Sequence, residues 1–152
     1  MRIRAGIVLI QENKVALIER HRAGLHYFVF PGGGVDEGET PEKAAIREAM
    51  EELGIEVAIK QRVAEVQLGQ KSRQIYFLVN RIGGEFGSGI GEEYTDSDPQ
   101  DPEEGIYIPV WMPIEELPLH TNIHPADVTK LVLKSVQKGW ATAPGIFFEE
   151  AK

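Results

Sequence analysis

The chain of 152 residues contains no cysteine. That excludes disulfide staples, thiolate catalysis and cysteine-based zinc sites, and it suits work in a reducing cytoplasm. Long apolar runs are missing too. Residues 1–10 hold two arginines and a short hydrophobic stretch, with no cleavage-site pattern and too little length to span a bilayer. They read as a first strand, and no membrane partner is expected. Positive charge is scarce: 16 Lys and Arg face 24 Asp and Glu, a net charge of −8 at pH 7, and residues 82–129 contain neither Lys nor Arg. Sequence-independent binding of long nucleic acid relies on clustered Lys and Arg, so that partner class is not expected. Small phosphorylated ligands stay open, because a metal ion and a few local arginines neutralise them. No internal repeat or linker interrupts the chain. Residues 1–152 therefore read as one domain, long enough to bury a core.

What is present reads as strands around one strong helix. Residues 3–10 and 15–19 are apolar runs separated by four polar residues, the pattern of a β-hairpin. Residues 21–26 form a polar connection, 27–30 a short aromatic strand stopped by Pro31, and 32–34 a flexible glycine turn. Thr40 and Pro41 combine a hydroxyl N-cap with proline at the first helical position, and Gly54 suits the C-terminal stop, so a helix is expected over 41–53. Strands are expected at 63–68 and 74–80, paired through the turn between them, and at 107–112, followed by a helical turn at 114–117. Val128, Leu131, Val132, Ser135 and Val136 recur at helical spacing across 125–136. Residues 85–104 carry eight acidic residues and two prolines. The plain expectation is a solvated loop; the functional one is that Glu92, Glu93, Glu103 or Glu104 swings over a site.

The helix at 41–53 separates two kinds of side chain. At about 100° per residue, with Glu48 at the origin, Glu52 falls at about 40° and Glu51 at about −60°. Ile46, Met50 and Leu53 gather at roughly 140° to 200° and are expected to form the buried stripe, opposite the acids. Carboxylates crowded at this spacing disfavour joint ionisation unless a cation intervenes. Hard oxygen ligands select Mg2+ or Mn2+, which polarise phosphoryl oxygens and lower the pKa of water. Arg47 lies about 40° from Glu51 and can reach back to Glu39, bridging loop and helix. Taken alone, three glutamates favour a solvated helix face.

The wider spacing says more. Gly33, Glu39, Arg47, Glu48, Glu51, Glu52, Gly54 and Ile55 stand at the positions of the Nudix box: glycine, five residues, glutamate, seven residues, Arg-Glu, a bulky aliphatic, any residue, Glu-Glu, any residue, glycine, aliphatic. Only Ala49 departs, being smaller than the pattern asks, with some loss of packing expected. The chain thus resembles the Nudix hydrolases (MutT-like). The resemblance implies an α/β class (α+β by some schemes), built as an α/β/α sandwich with a mixed β-sheet. It implies hydrolysis of a nucleoside diphosphate linked to a group X, with Mg2+ or Mn2+. Glu48, Glu51, Glu52 and the Gly32 carbonyl would hold metal. Arg47, Glu48 and Glu51 would be catalytic, and Gly33, Glu39 and Gly54 structural. The general base stays open between Glu51 and an acid of residues 92–104. A nucleoside triphosphate cleaved to monophosphate and pyrophosphate is the first substrate expected, with nucleotide sugars and dinucleoside polyphosphates as alternatives. A non-catalytic nucleotide sensor of the same fold is disfavoured by the full glutamate set, and a homodimer rests on analogy.

Outside the box, Arg4, Arg20, Arg73 and Glu93 are substrate-contact candidates. Tyr27, Phe28, Tyr76, Phe77 and Trp111 can each stack on a base or simply pack in the core. His21, His26, His120 and His124 show no metal-ligand spacing along the chain.

Overall fold

The computed structural model describes residues 2–88 and 105–149. Its strands are β1 (Arg2–Gln11), β2 (Lys14–Arg22), β3 (Leu25–Val29), β4 (Gly32–Gly34), β5 (Ile55–Leu68), β6 (Ser72–Gly84), β7 (Ile106–Pro113), β8 (Ile123–His124) and β9 (Gly145–Glu149). The helices are α1 (Pro41–Leu53) and α2 (Ala126–Lys138), with a 3-10 turn at Ile114–Leu119.

Among the described residues, the strands join in the order β8-β3-β2-β1-β6-β5-β9, with β4 added to β1 and β7 to β2. The sheet is mixed: β1 runs parallel to β6, whereas β5 and β6 are antiparallel. Alternation along each strand sends side chains to opposite faces. Ala5, Ile7, Leu9, Ala16, Ile18, Ile75 and Phe77 pack with Ala44, Ala45, Ala49 and Leu53 of α1. Val8, Val15, Leu17, Val66, Tyr76 and Leu78 pack with Val128 and Val132 of α2. The architecture is therefore the expected α/β/α sandwich.

The first two strands pair only next to their turn, at Ile10↔Val15 and Gln11↔Lys14. Beyond that point they diverge. β1 continues with β6 and β4, while β2 continues with β3 and β7. The sheet thus splits into two halves hinged at one hairpin, with a cleft between them.

Several local expectations change in three dimensions. Residues 32–34 are not a flexible turn but a strand, in register with β1 at Arg4↔Gly34, Ala5↔Gly33 and Gly6↔Gly32. Residues 21–26 are mostly paired strand: β2 and β3 close around Ala23 and Gly24, both at positive φ (51° and 80°). Two left-handed residues give the twist that suits a two-residue hairpin. The strands β8 and β9 have no counterpart in the sequence reading.

The packing of α1 departs in part from the expected stripe: Leu53 is buried as expected, but Ile46 and Met50 are not. Ala44, Ala45 and Ala49 are wholly buried with Leu53, while Ile46 and Met50 are 36% and 40% exposed. The acid-bearing side turns inward, placing Glu48 and Glu52 among the buried residues. The physical reason is size. Alanines let the helix backbone approach the apolar side chains of the sheet closely, and dispersion contacts fall off steeply with any gap. Ala49 at a fully buried position belongs to this contact and is not a packing defect.

This packing predicts an asymmetry in stability. Ala45→Leu should overpack the inner face and cost about 1–3 kcal/mol, whereas Met50→Gln should stay within about 0.5 kcal/mol of wild type. Urea unfolding midpoints of the two variants test it, and equal losses would refute the packing assigned to α1.

Candidate active site

The site begins with how α1 is anchored. Thr40 Oγ1 accepts the Lys43 N–H at 3.2 Å, and the chain leaves the helix through Gly54 at φ 76°. Positive φ at this stop is a conformation that glycine adopts without Cβ strain. The helix then holds Arg47 over the preceding loop. Arg47 Nε and Nη2 donate to the two oxygens of Glu39, each at 3.0 Å. Nη2 also donates to the Gly34 carbonyl at 2.9 Å. Nη1 donates to Glu48 at 3.0 Å and to Glu51 at 3.2 Å. Glu39 in turn accepts the Asp36 N–H at 3.0 Å. The hydrogen bonds from Arg47 foremost, then that from Asp36, hold the Glu39 carboxyl below its ordinary pKa. The same bond to Glu39 pushes Arg47 further up, which keeps it cationic.

The helix and the glycine strand meet at van der Waals distance. A Cβ on Gly33 would overlap the Glu48 carboxylate, and one on Gly32 would overlap the backbone of Ala5 and Gly6. Only glycine leaves that space to the carboxylate. The Gly32 N–H donates to Glu52 Oε1 at 2.8 Å, fixing the second acid. Glu48 and Glu52 are only 7% and 4% exposed.

Both acids face a cavity of about 560 Å³ in the cleft between the two half-sheets. Arg2 and Arg4 from β1 and Arg20 and Arg22 from β2 line it as well. The Arg20 guanidinium lies 3.6 Å from the ring centre of Tyr107, which stands opposite it in the register, as does Tyr27 on the other side. A cation over an aromatic face is attracted by the ring quadrupole and held in orientation. Tyr76 closes the floor with its hydroxyl donating to Gln74 Oε1 at 2.7 Å. Burial pushes its phenol pKa up, so it is a neutral group.

The cavity brings together Gly32, Gly33, Glu48, Glu52, Arg4 and Arg20 from the candidates read in the sequence. Glu51 sits beside Arg47 and is not among the cavity-lining residues. Arg73 is turned elsewhere: its Nε donates to Glu65 at 2.6 Å, and it does not line the cavity. Glu93, with Glu92, Glu103 and Glu104, lies outside the described residues. Of the five aromatic candidates, Tyr27 and Tyr76 reach the cavity. Phe28 and Phe77 are buried in the core, and Trp111 stacks on Phe86 at 4.5 Å between ring centres. Arg2, Arg22 and Tyr107 were missed. The signal for the arginines was present as two pairs spaced by two on neighbouring strands, which places each pair on one strand face.

The residues fit a divalent cation. Glu39, Glu48 and Glu51 surround one guanidinium, Glu48 and Glu52 are buried against a cavity, and the donor atoms are hard oxygens. The space kept open by Gly33 belongs to that carboxylate cradle.

A model of the NUDIX domain matches residues 1–132. The chain belongs to the Nudix family. Over 50 residues it is 52% identical to an RNA pyrophosphohydrolase of Tolumonas auensis, a match covering 33% of this chain and 28% of that protein. It is 39% identical over 61 residues to an 8-oxo-dGTP diphosphatase of Proteus vulgaris, covering 38% of this chain and 53% of that one. The chain therefore matches between about a quarter and a half of the length of these curated relatives. A crystal structure of a NUDIX hydrolase from Nitrosomonas europaea superposes with a TM-score of 0.71 at 22% identity, covering 97% of this chain and 79% of that one. This Nudix protein and that hydrolase share a fold.

The Glu39–Arg47 bond has a pH signature. The folded pKa of Glu39 lies below its ordinary value of 4.5. Its contribution to stability is complete above the unfolded value and drains away as the pH falls through the lower folded value. Glu39→Gln should therefore lose less stability on acidification than wild type between about pH 5 and pH 3. Urea midpoints measured across that range test the sign; parallel curves would contradict it.

Proposed function

We propose that the protein is a pyrophosphohydrolase that cleaves a nucleoside triphosphate to the monophosphate and pyrophosphate, with nucleotide sugars and dinucleoside polyphosphates as alternative substrates. One observation carries the proposal: a single cavity has Glu48 and Glu52 on one wall and Arg2, Arg4, Arg20 and Arg22 on the others. A polyphosphate chain is anionic along its length and needs cations on every side. The arginines supply one set as planar donors that pair phosphate oxygens.

Mg2+ or Mn2+, held by Glu48, Glu51, Glu52 and the Gly32 carbonyl, would supply Lewis-acid polarisation of a phosphoryl oxygen and a lower pKa for water. The chain's own residues do the remaining work. The arginine wall binds and orients the phosphates, and the Tyr107 ring holds Arg20 in one pose. Tyr27 and Tyr76 offer aromatic edges and faces to a base or sugar. Arg47 fixes the position of Glu48 and Glu51 and ties the loop to the helix. Water attacks a phosphorus of the α–β anhydride in line, its proton passes to a carboxylate (Glu51 or an acid of residues 92–104), and the P–O bond of that anhydride breaks to release the monophosphate and pyrophosphate.

A second reading follows from the relative named RNA pyrophosphohydrolase: the 5′-triphosphate end of an RNA. The net charge of −8 weighs against a long polyanion. Among the described residues, no helix is long and apolar enough to cross a membrane. A cytoplasmic protein, in a homodimer by analogy, accords with the proposal.

The test is a pyrophosphate- and phosphate-release screen with Mg2+ over nucleoside triphosphates, nucleotide sugars, dinucleoside polyphosphates and a 5′-triphosphorylated oligoribonucleotide. Replacing an outer partner of a metal site costs about 10–100-fold, so Glu52→Gln should lower kcat by more than about 100-fold. Arg20→Ala should raise KM about 10–100-fold, the value of one charged hydrogen bond, with a smaller effect on kcat. Wild-type rates for Glu52→Gln on the best substrate would overturn the assignment.

A further inference from the structure

The reverse face of the β2–β3 hairpin carries a second constellation. Alternation sends Arg20 and Arg22 to the cavity and places Glu19 and His21 together on the other side of β2. Register then sets His26 of β3 directly opposite His21, and such cross-strand pairs lie about 4.5–5.5 Å apart at Cβ. The two-residue turn at Ala23 and Gly24 holds this register. His21 Nε2 lies 3.2 Å from Glu19 Oε2, and His26 Nε2 lies 2.6 Å from the same oxygen. The imidazoles stack with centroids 4.3 Å apart and planes 6° from parallel. One oxygen and two nitrogens thus fall within 4.8 Å of one another, the sole such grouping of His, Asp and Glu among the described residues. None of the three lines the cavity. Spacing along the chain did not reveal them, because the third ligand arrives across the ladder.

We propose that Glu19, His21 and His26 form a binding site for a divalent transition ion of the Zn2+ class, separate from the carboxylate cradle. Two imidazoles and one carboxylate are the donor set of a tetrahedral ion that keeps its fourth position for water. Nitrogen ligands favour Zn2+, Co2+, Ni2+ or Cu2+ over Mg2+, the opposite preference to the all-oxygen cradle. Bonds of about 2.0–2.1 Å spread tetrahedral ligand atoms roughly 3.3 Å apart. His21 already stands near that distance from Glu19. His26 stands closer, and its side chain, 48% exposed, has room to swing outward. The ion would clip β2 to β3 at the end that carries Arg20, Arg22 and Tyr27 on the opposite face. The site therefore ties one wall of the cavity, without entering it.

Calorimetric titration with Zn2+ as the one titrated ion, against a background of saturating Mg2+, tests the site in wild type, the His21→Gln/His26→Gln double variant and Glu52→Gln. The expected result is one Zn2+ per chain in wild type and in Glu52→Gln. Affinity should fall by more than about 10-fold in the double variant, since a lost direct ligand costs at least what a lost outer partner costs. Co2+ should give the visible absorption of a tetrahedral ion in wild type and not in the double variant. Zn2+ should raise the Tm of wild type and leave that of the double variant unchanged, with matching circular dichroism before metal is added. Equal Zn2+ affinity in wild type and the double variant, loss of binding in Glu52→Gln alone, or no binding by wild type would each overturn the proposal. Each of these outcomes is independent of the hydrolysis screen.

Discussion

The Arg47 guanidinium is the constraint on which the site depends. Its three nitrogens donate to Glu39, Gly34, Glu48 and Glu51, joining the loop, the glycine strand and two acids of the helix. Isolated surface pairs such as Arg62–Glu42, 3.9 Å apart, are worth about 0–1 kcal/mol. Arg47 differs because its partners are partly buried, its contacts to Glu39 are bidentate, and each hydrogen bond to a charged group adds about 1.5–3 kcal/mol before screening. The carboxylates that Arg47 gathers on this side of α1 are hard oxygen donors, the kind that suit a divalent ion.

Geometry elsewhere serves that side. The helix lies against its strands through alanines, and the strand beneath Glu48 has no side chain to displace it. The two half-sheets part after a single short stretch of β1–β2 pairing, and the opening receives arginines from both diverging strands. Glu48 and Glu52 come from the helix and the arginines from the sheet. The opposition of charge across the cavity follows from the sheet topology and from the docking of α1 against it.

Legibility in the sequence tracked how local each feature is. The box residues sit in one contiguous stretch, so helical geometry alone placed Glu48 and Glu52 on a common side and brought Arg47 within reach of Glu39. Helix α2 was readable because Val128 and Val132 repeat with the helical period and are buried. The inward face of α1 was misread for a specific reason. A periodicity argument ranks side chains by hydrophobicity, and it chose Ile46, Met50 and Leu53, of which only Leu53 is buried. The fold ranked them by how closely backbones can approach, and chose alanine. The glycines at 32–34 were misread in the same way. Glycine suggests a turn when seen alone, and becomes a strand when a neighbour needs the space of its missing side chain.

The sequence by itself determined the family, the carboxylate set and the arginine that ties it, because these depend on spacing within one helix and its leading loop. The tertiary structure decided which helix face is buried, that Arg73 belongs to Glu65, and that Arg2, Arg22 and Tyr107 join Arg20 at the cavity. It also decided that Glu19, His21 and His26 converge. These depend on which strands become neighbours and in what register, and register is a property of paired chains that no single stretch carries.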